Sequence, residues 1–495
     1  SVENFAGTVT RIAAAACSIV LCISFVWSFG DEGYWSTEFA QEMGDIPLIS
    51  NGLADSTING PAVNFLRLTH TKTMDKPEGY SRGTMEAIAK KYATAAKKIN
   101  RQRTENMTDN TVIMILSESF SDPTRVPGVS FAEDPMPNIR QLKTQTTSGL
   151  MLSPGYGGGT ANIEYQALTG LSMANYSSTL SVAYQQLVPS LKWAPTVNQM
   201  WNEAYGSKNA SIALHAYNRN MYFRDLNYRK FGFSKFYAID GKPKLTDLST
   251  LDSGLYASDA SFYSDILKEV SSSDKNKFYQ VVTMQNHMPY ENFYANNRFK
   301  ELDTSQNLDE DERNNIDTYT QGLNYTDQST IDFLNQLNTS NRPITVIFYG
   351  DHLPGIYSTA YSDKDNVIGL HETDYFIWSN DASKAAGTKL DSNSSAYTSS
   401  NYFSAQLAQH LNAKVSPYLA FLTEMHQAIP ALSVPSSAGG NIDEPVYLDA
   451  SGNRIRKKNL SQKAKAMLHD YLLIQYDMSV GKNYLKDTGF VDLPK

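Results

Sequence analysis

The chain has 495 residues, 41% of them hydrophobic, and a formal net charge of −8. That apolar content is enough for a full buried core, and the acidic balance without a basic stripe argues against a nucleic-acid-binding protein. The two cysteines, Cys17 and Cys22, both lie in an apolar N-terminal segment, so no disulfide staples the rest of the chain.

Ile12 to Gly30 is a run of 19 residues without a charge, just long enough to span hydrocarbon. Arg11 precedes it, Asp31 and Glu32 follow, and Trp27, Tyr34 and Trp35 stand where an aromatic belt would form. The expected topology puts Ser1 inside and the large remainder outside. A signal peptide is the rival reading, but no clear small-residue cleavage site follows. The chain begins without methionine, and it is read as a fragment whose earlier membrane segments are missing. Residues 31 to about 110 read as a connector, with a turn at Lys76–Ser81 and a helix from Arg82 to about Arg103 packed on the main domain.

Thr111–Leu116 is an apolar run that ends in Ser117-Glu118, the pattern of a buried parallel strand with an acid at its carboxyl edge. A strand at about Gly149–Ser153 leads into Gly157-Gly-Gly-Thr160, after which a helical pattern begins. Glycines allow close approach of the backbone to a ligand, and a threonine at a helix start presents its hydroxyl where N–H groups attract anions. The plainer alternative is a glycine turn with Thr160 as an ordinary N-cap. Pro189–Tyr205 reads as an amphipathic helix, Ser211–His215 as a short strand, and Tyr217–Asp225 as a polar, aromatic loop. Lys277–His287 is a strand ending in a polar cluster, Asp317–Leu337 has helical spacing, and Ile344–His352 is a strand with ionisable residues at its carboxyl end. Tyr375–Trp378 is expected as a fifth strand nearer an edge. The Ser/Thr/Asn-rich stretch 391–401 reads as a surface loop, Val446–Ile455 as a hairpin, and Leu460–Tyr476 as a closing helix. Strands alternating with helices predict an α/β fold with a mostly parallel sheet flanked by helices. The expected divisions are 1–35 for the membrane helix and its flanks, 36–108 for a linker with a helix, 109–430 for the main domain and 431–495 for a closing subdomain.

In open α/β sheets, ligands collect at the carboxyl ends of strands. Four segments here bring Glu118, Thr160, His287 and Asp351-His352 to such ends. Glu118, Asp351, His352 and the Thr160 oxygen form a mixed O/N donor set suited to Mn²⁺, Mg²⁺ or Zn²⁺. A cation there would activate Thr160 as a nucleophile and stabilise phosphoryl charge. His287 is the expected general acid or base, or a substrate contact, with His215 a second candidate. His70, His371, His410, His426 and His469 are expected to be structural.

Ser117-Glu-Ser-Phe120, Gly157-Gly-Gly-Thr-Ala-Asn-Ile-Glu164, Leu168-Thr-Gly170, Met284-Gln-Asn-His287 and Tyr349-Gly-Asp-His352 together resemble the lipoteichoic acid synthase family. Lys76–Tyr80 and the Asp470–Asp477 region are similar too, so the resemblance runs from about residue 76 to the C-terminus. It implies a sulfatase-like extracellular domain of the alkaline phosphatase superfamily on a membrane anchor, with this chain retaining the last of several spans. It implies transfer of glycerol phosphate from phosphatidylglycerol through a covalent threonine intermediate, with Thr160 as nucleophile and Glu118, Asp351 and His352 on a manganese ion. It further implies substrate contacts from His287, Tyr222 and Arg224. Tyr222 stands where those synthases have tryptophan. The acceptor would be a glycolipid, a polyglycerol-phosphate chain or a wall polysaccharide of a Gram-positive cell. A true sulfatase would need Cys or Ser where Thr160 stands. The competing readings are a phosphoethanolamine transferase or other metal-dependent phosphodiesterase of the same superfamily, or a non-catalytic glycan-binding relative.

Overall fold

The structure is a computed structural model and describes residues 2–30, 33–47, 52–69, 72–300, 302–303, 308–435 and 444–495. Asp31, Glu32 and His70 lie outside the described residues.

Helix α1 (Val2–Ser28) contains the stretch Phe5–Ser28, long and apolar enough to cross a membrane and exposed along its apolar length. The connector after it holds three short helices that the sequence pattern did not signal, Trp35–Glu42, Gly52–Asn59 and Pro61–Thr69. Arg67 ties this segment together through a 2.6 Å ion pair to Asp45 and a second contact to Asp55.

The eight strands of the central sheet are β1 (Thr111–Ser117), β2 (Thr147–Leu152), β3 (Ser211–His215), β4 (Lys235–Tyr237), β5 (Phe278–Val282), β6 (Ile344–Gly350), β7 (Glu372–Ser379) and β8 (Tyr397–Thr398). Their order across the sheet is β8-β2-β7-β6-β1-β5-β3-β4. Only β7 runs against its neighbours; every other pairing in the sheet is parallel. The central strand β1 is buried at all seven positions and alternates its contacts: Val112, Met114 and Leu116 join one core, Ile113 and Ile115 the other. That alternation follows from the two-residue period of a strand covered on both faces.

On the first face lies α2 (Arg82–Asn100), capped by Ser81 Oγ accepting from Thr84 N and burying Met85, Ile88, Ala89, Tyr92 and Ala96 at helical spacing. It packs with α7 (Pro417–Ala428) and α8 (Gln462–Ser479) in one core. The two terminal motifs meet there: the Tyr80 hydroxyl donates to Asp477 at 2.6 Å, and the Tyr92 hydroxyl to Asp470 at 2.6 Å. On the second face lie α5 (Asp259–Ser272) and α6 (Glu310–Leu337), the latter capped by Asp309 and begun by three acids that suit a helix N-terminus. The hairpin β10 (Val446–Leu448) and β11 (Arg454–Ile455) forms as expected and gains β9 (Ala431–Ser433) as a third strand.

Several expectations are corrected. Pro189–Tyr205 is not one helix: it is a single turn at Val188–Ser190 and a short helix at Gln199–Ala204, because Pro189 and Pro195 remove backbone donors between them. The strand around Tyr375 lies inside the sheet and runs antiparallel, since β2 and β8 add beyond it. Residues 391–401 are at the surface only in their first part, Asp391 to Asn393. They form a helical turn at Ser392–Ser395 and the edge strand β8, with Thr398 to Asn401 buried. Gly149 makes room for this, since a Cβ there would lie 2.0 Å from the Ser395 carbonyl oxygen. Helix α6 starts seven residues before Asp317, at Glu310.

Asp259, at the start of α5, is fully buried; Oδ2 accepts from Thr326 Oγ1 at 2.6 Å, while Oδ1 has no partner among the described residues. Burial pushes this carboxyl up to about 7. An unfolded aspartate ionises near pH ~4. The folded form therefore holds the proton between the two values, and the stability it confers at low pH is lost as pH rises through the folded pKa. Asp259→Asn is expected to flatten that loss and to exceed the wild type at pH ~8 by about 2–4 kcal/mol, read from denaturant unfolding at pH ~5 and ~8.

Candidate active site

Sheet register builds the centre. Ser117 lies opposite Gly350 in the β1–β6 pair, so Glu118 and Asp351 leave the sheet side by side. The approach requires glycine at 350, where a Cβ would stand 1.6 Å from the Phe120 carbonyl oxygen. Backbone cannot yield as a flexible side chain can, so Gly350→Ala is expected to destabilise by about 3 kcal/mol and to reduce metal affinity with it. Thermal unfolding and metal titration of the variant check both.

Asp351 is completely buried, and each of its oxygens is engaged. Oδ1 accepts from Ser119 N at 2.8 Å and His352 N at 2.9 Å, and Oδ2 accepts from Thr160 Oγ1 at 2.7 Å. Ser119 adopts a positive φ of 53°, a left-handed conformation rare for a residue with a side chain, and its hydroxyl donates to Glu118 Oε1 at 2.9 Å. His352 Nδ1 lies 2.8 Å from the Leu353 carbonyl oxygen, which can only accept. Nδ1 therefore carries a proton and Nε2 faces the acids, 3.2 Å from Asp351 Oδ2 and 3.8 Å from Glu118 Oε1.

Thr160 opens α3 (Thr160–Thr169), but it is not the N-cap. Gly159 takes that position at φ 99°, which leaves the Thr160 hydroxyl free to turn to Asp351. The preceding loop is folded too tightly for side chains: a Cβ at Gly155 would stand 2.2 Å from the Gly158 carbonyl oxygen.

One ligand atom from each of Glu118, Asp351 and His352 lies within 4.8 Å of the others. Burial, then the neighbouring Asp351, pushes the Glu118 carboxyl up. Burial opposes charge on His352, but Asp351 and Glu118 outweigh it and raise its pKa. Among the described residues no lysine or arginine is hydrogen-bonded or ion-paired to either acid. Two buried carboxylates and an imidazole held in its ligating tautomer fit a divalent cation, which supplies the missing positive charge.

Glu118, Thr160, Tyr222, His287, Met288 and His352 line one cleft with a cavity of about 120 Å³. His287 Nδ1 lies 2.7 Å from the Met288 carbonyl oxygen, so the proton sits there and Nε2 remains available. A larger cavity of about 260 Å³, between Trp193, Met200 and Val491, contains none of these groups.

Arg224, the first residue of α4 (Arg224–Lys230), and His215 do not line the cleft. Both are buried behind Tyr222, where Arg224 Nε and Nη2 donate to Glu164 Oε2 at 3.1 and 2.9 Å. Arg224 Nη1 lies 3.2 Å from His215 Nε2, and His215 Nδ1 3.0 Å from the Val282 carbonyl oxygen. Burial and the adjacent Arg224 hold the His215 pKa well below its ordinary value, so it stays neutral. Glu164 Oε1 accepts from Tyr184 at 2.9 Å and also from the Tyr228 hydroxyl. The arginine stacks 5.3 Å from the Tyr222 ring. Tyr222 and Phe223 both hold positive φ, 55° and 57°. Glu164, Tyr184 and Tyr228 carry no signal of this role in the sequence beyond the four-residue step from Thr160 to Glu164, one helical turn. His371, His410 and His426 are buried with hydrogen-bonded ring nitrogens, and His469 is exposed; none lines the cleft.

The sulfatase family profile matches residues 110–413, more than half of the chain. The chain belongs to the sulfatase family. Within that family it is similar to the Streptococcus pyogenes phosphoglycerol transferase GacH, solved with sn-glycerol-1-phosphate. The two are 36% identical with a TM-score of 0.72, over 85% of this chain and 100% of that one. The Listeria monocytogenes lipoteichoic acid synthase LtaP shares the fold at 16% identity and a TM-score of 0.53, over 81% of this chain and 100% of that one. A putative cyclic β-1,2-glucan modification protein of Rhizobium meliloti is 28% identical over 97% of this chain and 70% of its own length. The capsular polysaccharide biosynthesis protein RkpI of the same organism is 28% identical over 54% of this chain and 44% of its own length. This sulfatase-family chain has threonine at 160 and no cysteine outside the N-terminal helix.

Proposed function

We propose that this protein is a membrane-anchored phosphoglycerol transferase that takes glycerol phosphate from phosphatidylglycerol on the outer side of the membrane and passes it to a hydroxyl of a cell-surface glycan. One observation carries the reading: the Thr160 hydroxyl stands at a helix N-terminus, 2.7 Å from Asp351, beside the Glu118–His352 donor pair. The bound glycerol phosphate of the Streptococcus relative supports the donor. The glucan and capsular-polysaccharide relatives support a glycan acceptor over a lipoteichoic acid chain.

In this reading Glu118, Asp351 and His352 hold the cation, manganese by family resemblance. When bound, it supplies Lewis-acid stabilisation of charge on the threonine oxygen and the phosphoryl group. Thr160 Oγ1 gives up its proton to solvent water, regaining one when it is freed in the second step, and attacks phosphorus. The bond from phosphorus to the diacylglycerol oxygen breaks, and glycerol phosphate is left on Thr160. His287 Nε2, when protonated, donates to the departing diacylglycerol oxygen and then takes a proton from the acceptor hydroxyl. That hydroxyl attacks the same phosphorus and frees Thr160. The backbone N–H groups at the start of α3 orient the anion, and Tyr222 closes one side of the cleft, held by the Arg224–Glu164 pair behind it.

The test is release of diacylglycerol from fluorescent phosphatidylglycerol by the full chain in vesicles, before and after chelation and with manganese restored. Release that disappears with chelation and returns with metal is expected. No release from a folded, metal-loaded protein would remove phosphatidylglycerol as donor and favour phosphoethanolamine transfer or glycan binding. Adding a β-glucan is expected to speed turnover; acceleration only by a glycolipid primer would shift the acceptor to lipoteichoic acid.

A further inference from the structure

Large exposed hydrophobic side chains are confined to two regions and one outlier. Among the described residues they comprise the segment from Phe5 to Phe65, then Phe223, Leu226, Leu255 and Met288, and finally Val480. The first region is the apolar helix and the connector that follows it. The second flanks the cleft, with Leu255 lining a neighbouring hollow beside Asp252 and Glu291. Met288 lines the cavity itself, and Phe223 follows Tyr222, which also lines it. Leu226 lies on the helix Arg224–Lys230 that follows, whose Asn227 Nδ2 donates to the Tyr222 carbonyl oxygen at 3.2 Å. Leu255 precedes Tyr256, whose hydroxyl donates to the Met288 carbonyl oxygen at 3.1 Å and whose ring lies 5.3 Å from His287. Three segments distant in sequence thus bring exposed apolar residues beside the cleft. Phe223 is 48%, Leu226 47%, Leu255 55% and Met288 42% exposed. Phe223 reaches its place through the left-handed backbone at φ 57°, a conformation that a bulky residue holds only when the surroundings enforce it.

We propose that this rim is a lipid-contacting surface: Phe223, Leu226, Leu255 and Met288 enter the headgroup layer of a bilayer, so that the cleft opens directly onto a lipid headgroup. Clustered exposed apolar groups mark a partner surface, and the partner is identified by the rest of the chain. Helix α1 is apolar and exposed over a membrane-spanning length, which keeps the whole chain beside a bilayer. Exposed apolar groups otherwise concentrate in the segment next to that helix, so the rim shares its solvent preference. The inference rests on the lipid-donor reading for its purpose but not for its test. It also explains how a narrow cleft reaches a headgroup: shallow insertion brings phosphorus to Thr160 without drawing the lipid out of the membrane.

The test uses the full chain with Cys17→Ser and Cys22→Ser, reconstituted in phosphatidylglycerol-containing vesicles that carry nitroxide-labelled acyl chains. A fluorophore is placed at Leu226→Cys, at Leu255→Cys or, as a reference, at Lys275→Cys. Lys275 is exposed and precedes β5, at the opposite end of the strands from the cleft. Lipid-borne quenching at 226 and 255 several-fold above that at 275 is expected. Equal quenching at all three positions overturns the proposal, whatever the enzyme assay gives. A second arm compares Leu226→Asp/Leu255→Asp with wild type on vesicle phosphatidylglycerol and on a short-chain phosphatidylglycerol kept monomeric. Loss of at least tenfold on vesicles, with less than twofold change on the monomeric donor, is expected. Unchanged activity on vesicles, or equal losses on both donors, overturns it.

Discussion

Thr160→Ala is expected to lower diacylglycerol release by about four orders of magnitude or more, as removal of a covalent nucleophile does elsewhere. The local structure explains why nothing substitutes for it. Asp351 holds the hydroxyl at 2.7 Å, and the helix that begins at Thr160 fixes the side chain at the end with free N–H groups. The other hydroxyl beside the acids, Ser119, is committed to Glu118 at 2.9 Å. Thr160→Ser keeps the oxygen and loses only a methyl group, so it is expected to retain activity within about tenfold. Binding of manganese, followed by calorimetry, is expected to persist in the alanine variant, because Glu118, Asp351 and His352 remain. A Thr160→Ala protein that still releases diacylglycerol at the wild-type rate would end the covalent mechanism.

Glu164→Ala is expected to cost about 3–5 kcal/mol of stability, the range for breaking one side of a buried ion pair. Arg224 is 1% exposed, and its guanidinium would be left without a carboxylate. Two further donors, the Tyr184 and Tyr228 hydroxyls, would lose their acceptor at the same time. Replacing both ends, Glu164→Gln with Arg224→Met, is expected to recover much of that loss, because no isolated charge then remains buried. The recovered protein separates two roles. Tyr222 stacks on Arg224 and is backed by it, so the double variant is expected to fold yet to bind donor more weakly, raising KM before kcat. Urea unfolding measures the first effect and steady-state kinetics the second. A double variant with wild-type KM would show that the pair serves the fold alone.

Much of the site was legible in the chain because its parts sit where apolar periodicity ends. The run from Thr111 to Leu116 stops at Glu118, and the run from Ile344 to Tyr349 stops at Asp351 and His352; burial on both faces imposes such runs, and the first polar residue beyond marks the sheet rim. The closing helix and the helix from Arg82 were legible for a similar reason, since capping serines and helical spacing are local properties. The tertiary structure alone decided which strands are neighbours, that β7 runs backwards, and that Thr398 to Asn401 of the polar stretch are buried at an edge of the sheet. Buried polar atoms there find internal partners, Thr398 Oγ1 in Gln406 and Asn401 Nδ2 in Tyr471, although Asn401 Oδ1 has none among the described residues, and composition cannot distinguish such burial from exposure. The same limit hid the Glu164–Arg224 pair, 60 residues apart in the chain, and Ser119 to Asp351, 232 apart. A hydrogen bond between distant residues leaves no period in a sequence; it exists only once packing has brought donor and acceptor within reach.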